Sequence, residues 1–140
     1  MAEIVPTITT NDPNLFHQNL ENFAKFAKRI QIDTSDGSFA PTTLVSLSDM
    51  DQFSAGVKID LHLMTAQPSS YLPQIINLKP SLCIVHAEVN DDINNIFAEL
   101  KQAGIEVGLA LLKTTFPGKV TAAIQTADHV MIFAGELGRQ

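Results

Sequence analysis

Six short apolar runs punctuate the sequence at a near-constant interval, and that interval constrains the fold more than any other feature. They are "EIVPTI", "RIQIDT", "VKIDLHLMT", "LCIVHAE", "EVGLALL" and "HVMIFAG". Their centres lie roughly 23–30 residues apart, the size of one strand-and-helix unit. Helical patterns fill the gaps. "NDPNLFHQNLENFAKFAK" offers Asn11 or Asp12 as a cap, Pro13 in the first turn, and Leu15, Phe16, Leu20, Phe23 and Phe26 as an apolar stripe. "SLSDMDQFSAG" predicts a short helix, and "QPSSYLPQIINLK" one that starts after Pro68. In "NDDINNIFAELKQAG", Ile93, Ile96, Phe97 and Leu100 recur at helical spacing and Gly104 marks the stop. "FPGKVTAAIQTA" supplies the fifth.

Regular alternation of this kind implies an α/β fold, a parallel sheet covered by helices. An open doubly wound sheet for dinucleotides has no direct support, because no GxGxxG turn follows "EIVPTI". Polar residues instead cluster at the carboxyl ends of the second, third and fourth strands. In a (β/α)8 TIM barrel that end is the mouth, where sites are built. Such a barrel needs eight strands and typically ~250 residues. The 140 residues carry six strands. The expectation is therefore a single barrel domain, residues 1–140, truncated after the sixth strand, with outer helices. Two unpaired sheet edges would then favour association into a homo-oligomer.

Composition narrows the function classes. Apolar residues make up 45%, which excludes a disordered or low-complexity chain. A net charge of −6 without a basic block argues against nucleic-acid or anionic-membrane partners. The single cysteine, Cys83, sits in an apolar run and reads as a small hydrophobe in a reducing compartment. The N-terminus lacks the pattern of a signal peptide, and no apolar run approaches the ~20 residues of a membrane span. A cytoplasmic protein is expected.

The strands also carry a chemical constellation. Gln31 and Asp33 share one face of the second strand. Asp60, His62 and Met64 share one face of the third, and His86 and Glu88 close the fourth. Two imidazoles, three carboxylates and an amide can thus converge on one mouth. Oxygen and imidazole donors suit Zn, Fe(II) or Mn. From the residues alone, plainer readings stay open beside this one. Asp33 can cap the loop that follows, His62 can be a satisfied core histidine, and His86 with Glu88 can be an internal pair. Met64 and Met131 can be packing.

Taken in order, "IVPTITTNDPNL", "IQIDTSDGSFAPT", "IDLHLMTAQPSSYL", "IVHAEV", "GIEVGLALLKTT" and "VMIFAGELGRQ" resemble the ribulose-phosphate 3-epimerase family along essentially the whole chain. The most specific pieces are Asp-x-x-Asp-Gly-x-Phe-x-Pro, from Asp33 to Pro41, and Asp-x-His-Leu-Met, from Asp60 to Met64. The resemblance implies a barrel that binds one divalent metal and inverts C3 of a pentulose 5-phosphate in carbohydrate metabolism. The substrate pair would be D-ribulose 5-phosphate and D-xylulose 5-phosphate. Two aspartates on opposite faces of the sugar would move the proton through an enediolate. Asp33 would be one acid/base and a metal ligand, and His62 a second ligand that also meets substrate. Thr10, Met64, Met131, Gly138 and Arg139 would be substrate contacts.

The departures from the family pattern are specific. Gln31 stands where the family has a metal-binding histidine, and an amide oxygen is a poorer ligand for Zn or Fe(II) than imidazole. Glu136, Leu137, Gly138 and Arg139 replace a glycine-rich phosphate loop, keeping one glycine. The partner aspartate belongs to a seventh strand. Two alternatives therefore stand beside the epimerase: a non-catalytic phosphosugar binder, and a self-associating, diverged half-barrel.

Overall fold

The computed structural model describes residues 2–51, 53 and 56–137. Strands and helices alternate as β1 (Thr7–Ile8), α1 (Pro13–Ala24), β2 (Arg29–Ser35), β3 (Lys58–Met64), α2 (Leu72–Leu78), β4 (Leu82–His86), α3 (Ile93–Gln102), β5 (Glu106–Leu112), α4 (Thr121–Thr126) and β6 (His129–Phe133). All neighbours pair in parallel, in the order β1-β2-β3-β4-β5-β6. The six strands form a curled half-barrel with outer helices, as expected of six strands of a (β/α)8 barrel.

Side-chain alternation sorts the sheet into two faces. Ile30, Ile32, Ile59, Leu61, Leu63, Cys83, Val85, Val107, Leu109 and Leu111 join the main core with Phe16, Leu72, Ile75, Ile96, Phe97 and Leu100 from the helices. Full burial of each such side chain contributes about 1.5–3 kcal/mol. The register places the other set, including Gln31, Asp33, Asp60, His62, Ile84, His86, Gly108 and Met131, on the concave face. Leu82, Ile84 and Ala110 form a smaller apolar cluster there, with Met131 packed against it.

The curl is visible in side-chain contacts. His62 on β3 and Phe133 on β6 are three strands apart, which is about 14 Å along a flat sheet. Their ring centroids are 5.7 Å apart. Gly108 permits a close approach inside the barrel, since a Cβ there would sit 2.8 Å from Cγ1 of Ile84.

Several local expectations are corrected. "EIVPTI" pairs only at Thr7–Ile8. "SLSDMDQFSAG" holds one 3-10 turn, Leu47–Asp49, which Ser46 and Asp49 close as a capping box; Gln52, Ser54 and Ala55 lie outside the described residues. In the first helix Phe16 is buried, but Leu15 and Phe26 are exposed. Phe26 falls past the helix end at Ala24, so it leaves the stripe's periodicity. Asp12 and Asp92 cap α1 and α3 through their side chains.

Candidate functional site

A hydrogen-bonded file of side chains crosses the carboxyl end of the sheet. Thr9, just past β1, donates its hydroxyl to Asp33 Oδ2 at 2.7 Å. Gln31 Nε2 donates to Asp33 Oδ1 at 2.9 Å, and His62 Nδ1 meets the same oxygen at 3.0 Å. His62 Nε2 lies 2.8 Å from His86 Nε2. Beyond it, His86 Nδ1 faces Glu88 Oε2 at 3.4 Å, and Glu88 Oε1 accepts the Leu112 N–H at 2.9 Å. Strand register explains the assembly, because Asp33 pairs with His62 and both strands present them to the concave side.

The donors decide the charge on Asp33. Burial works to raise its pKa, but hydrogen bonds from His62, Gln31 and Thr9 and the attraction of His62 outweigh it. The carboxyl is held below the ordinary carboxylate range. His86 is pushed down to about 4, first by burial and then by His62. The Nε2–Nε2 contact holds a single proton between the two rings, and the carboxylates of Asp33 and Glu88 stand at the two ends of the line. His86 Nδ1 and Glu88 Oε2 both lack a hydrogen-bond partner.

Aromatic rings close over the histidines. Phe39 lies 4.9 Å from the His86 ring, and Phe133 lies 5.7 Å from both His62 and His86. His62 and His86 are fully buried.

The structure thus brings Gln31, Asp33, His62 and His86 together and separates Asp60 from them. Asp60 lies toward the opposite end of the strands, where both its oxygens accept from Arg29 Nε at 2.8 Å. Arg29 also approaches Glu106 at 3.6 Å, and Glu106 meets His129 at 3.1 Å. The spacing Asp-x-His placed Asp60 on the correct face but two residues too low. The hydroxyl of Thr10, expected to meet substrate, accepts the Asp12 N–H at the start of α1. Sequence reasoning missed Thr9 and Phe133 at this site, and it had Phe39 only as part of the Asp33–Pro41 motif, without a role. For Thr9 no signal distinguished the two threonines. Met64 is buried, and Met131 packs on the concave apolar cluster. Gly138 and Arg139 lie outside the described residues.

The second carboxylate of the loop motif plays another part. Asp36 accepts hydroxyls from Ser38, Thr65 and Tyr71. Burial opposes these bonds and loses, so its carboxyl falls to about 2. This ties the loop after β2 to the loop after β3.

A divalent cation fits these donors poorly. Asp33 Oδ1 already accepts from Gln31 and His62, Oδ2 accepts from Thr9, and His62 Nε2 is engaged by His86. Reversing the Gln31 amide would set its oxygen against a carboxylate oxygen. No group of three or more His, Cys, Asp or Glu among the described residues is placed to hold a metal. No helix among them is long and apolar enough to cross a membrane.

Comparison with known proteins follows the same lines. The profile of the "Ribulose-phosphate 3 epimerase family" matches residues 3–140. A ribulose-phosphate 3-epimerase of Aquifex aeolicus is 25% identical over 107 residues, 75% of this chain and 48% of that protein. One of Bacillus subtilis is 24% identical over 133 residues, 93% of this chain and 58% of that protein. One of Schizosaccharomyces pombe is 22% identical over 144 residues, 99% of this chain and 63% of that protein. The chain spans roughly half to six-tenths of the length of these relatives. The chain belongs to the ribulose-phosphate 3-epimerase family.

Proposed function

We propose that this member of the epimerase family moves the C3 proton of a pentulose 5-phosphate, with Asp33 as the acid/base. The observation that carries the reading is the Asp33 carboxylate itself. It sits on the concave face at the carboxyl end of β2, ionised, and gripped by Thr9, Gln31 and His62. A proton next to a ketone leaves only if a base takes it as the C2 oxygen gains negative charge. Asp33 would accept the C3 proton, the C3–H electron pair would form the enediolate, and Asp33 would return the proton to the same face. Inversion requires a donor on the opposite face. The donor bonds on Asp33 also lower its basicity. A substrate oxygen that accepted the Thr9 or Gln31 donor in place of Asp33 would restore it. The phosphate end would lie against the loop after β6. There Leu112, Lys113, Thr114, Gly135 and Glu136 line a cavity of about 300 Å³.

A second reading has its own support. The same three donors that hold Asp33 ionised make it a weak base, which suits a binder of phosphosugars without turnover. One experiment separates the two. D-ribulose 5-phosphate is incubated with the chain in D2O and followed by NMR. The catalytic reading expects deuterium at C3, with retention exceeding inversion. Binding-induced shifts without exchange favour the binder, and neither shifts nor exchange would refute both.

A further inference from the structure

We infer that Phe133 determines access to the site: its ring seals the His62–His86 sector of the mouth, so that a ligand reaches Asp33 only from the Thr9 side. The inference rests on the reading of Asp33 as the reacting group. Three observations support it. Phe133 comes from β6, the last strand among the described residues, yet its ring stands 5.7 Å from two histidines on β3 and β4. Phe39, from the loop after β2, covers the other side of His86. Neither phenylalanine belongs to the two apolar clusters, so their rings serve the imidazoles and not the aliphatic core.

The burial pattern is what such a seal produces. His62 and His86 are fully buried, while Asp33 keeps 13% of its side chain exposed. At Thr9, whose hydroxyl holds Asp33, an open recess of about 550 Å³ is lined by Thr9, Thr10, Asn11 and Thr43. Hydroxyl and amide groups on that wall suit a small polyhydroxylated ligand. Under the seal, His62 and His86 act on a ligand through Asp33, as positioning residues.

Histidine reactivity tests this without any turnover. The chain is treated with diethylpyrocarbonate, and each histidine is quantified by peptide mass. His17 is exposed and His129 half-buried, and both should react readily. His62 and His86 should react about tenfold more slowly or less. Phe133→Ala should raise the rate at His62 and His86 about tenfold and leave His17 unchanged, with Phe133→Leu between. Equal rates at all four histidines in the unmodified chain would overturn the inference. So would continued protection in a folded variant. Loss of the cooperative thermal transition in both variants would also count against it, since Phe133 would then be core and not a seal. A protected pair in a chain that gives no C3 exchange would retain the seal and remove the epimerase reading.

Discussion

His62 Nε2 and His86 Nε2 lie 2.8 Å apart with both side chains fully buried. Two like nitrogens at that distance share one proton. The line they form runs from the Asp33 carboxylate at one end to the Glu88 carboxylate at the other.

Asp33→Asn should abolish C3 exchange, by about 10²–10⁴-fold, because an amide cannot take the proton. Thr9→Val removes one of the three donors and should leave the exchange measurable, with the acidic limb of its pH profile moved upward. An Asp33→Asn chain that exchanges at the unmodified rate would remove Asp33 from the reaction.

Thermal stability should depend on pH through His86. Its folded pKa, about 4, is below its ordinary 6.5, so between those values the unfolded chain binds a proton that the folded chain refuses. Stability is therefore full above pH 6.5 and falls as the pH drops toward 4. Asp33, whose pKa is lowered from 3.8, adds a second loss at still lower pH. His86→Phe should flatten the first window and keep the second. A melting profile with an unchanged slope in that variant would contradict this.

Zinc titration by calorimetry should give weak binding or none in the unmodified chain, because Asp33 accepts from Thr9, Gln31 and His62, and His62 Nε2 is engaged by His86. Gln31→His should tighten it by placing an imidazole beside Asp33. Tight binding before substitution would assign the ligand role to His86 or Glu88. No change after it would place the limit elsewhere than Gln31.

Gly108→Val should destabilise the fold by about 1–3 kcal/mol, read from denaturant midpoints. Even its Cβ would meet Ile84 at 2.8 Å, and Ile84 is itself buried. Gly118→Ala, where a Cβ meets nothing within 4 Å, is the control.

Association is expected at the β6 edge. Val130 and Ile132 are 47% and 65% exposed on its outer face, and the strand pairs only with β5 among the described residues. Light scattering should show species larger than one chain, and Ile132→Lys should reduce them. A single sharp monomer peak for the unmodified chain would rule this out.

The periodicity of the sequence determined the strands, their parallel order and the side facing the helices. These follow from local spacing, since apolar runs at strand length and capped helical stripes leave few other arrangements. Asp33 and His62 were also legible, because alternation along a strand fixes the face of each side chain. The end of the barrel at which a side chain acts was not. Asp60 shares the face of His62 but sits two residues lower, beside Arg29, and only the register between β2 and β3 reveals that partner. The hydrogen bond from Thr9 to Asp33 was set by the path of the chain after β1, which no pattern of two adjacent threonines encodes. The contact of Phe133 with His62 was decided by curvature together with the reach of the two rings. On a flat sheet the two strands stand about 14 Å apart, and the curl closes that distance to ring contact.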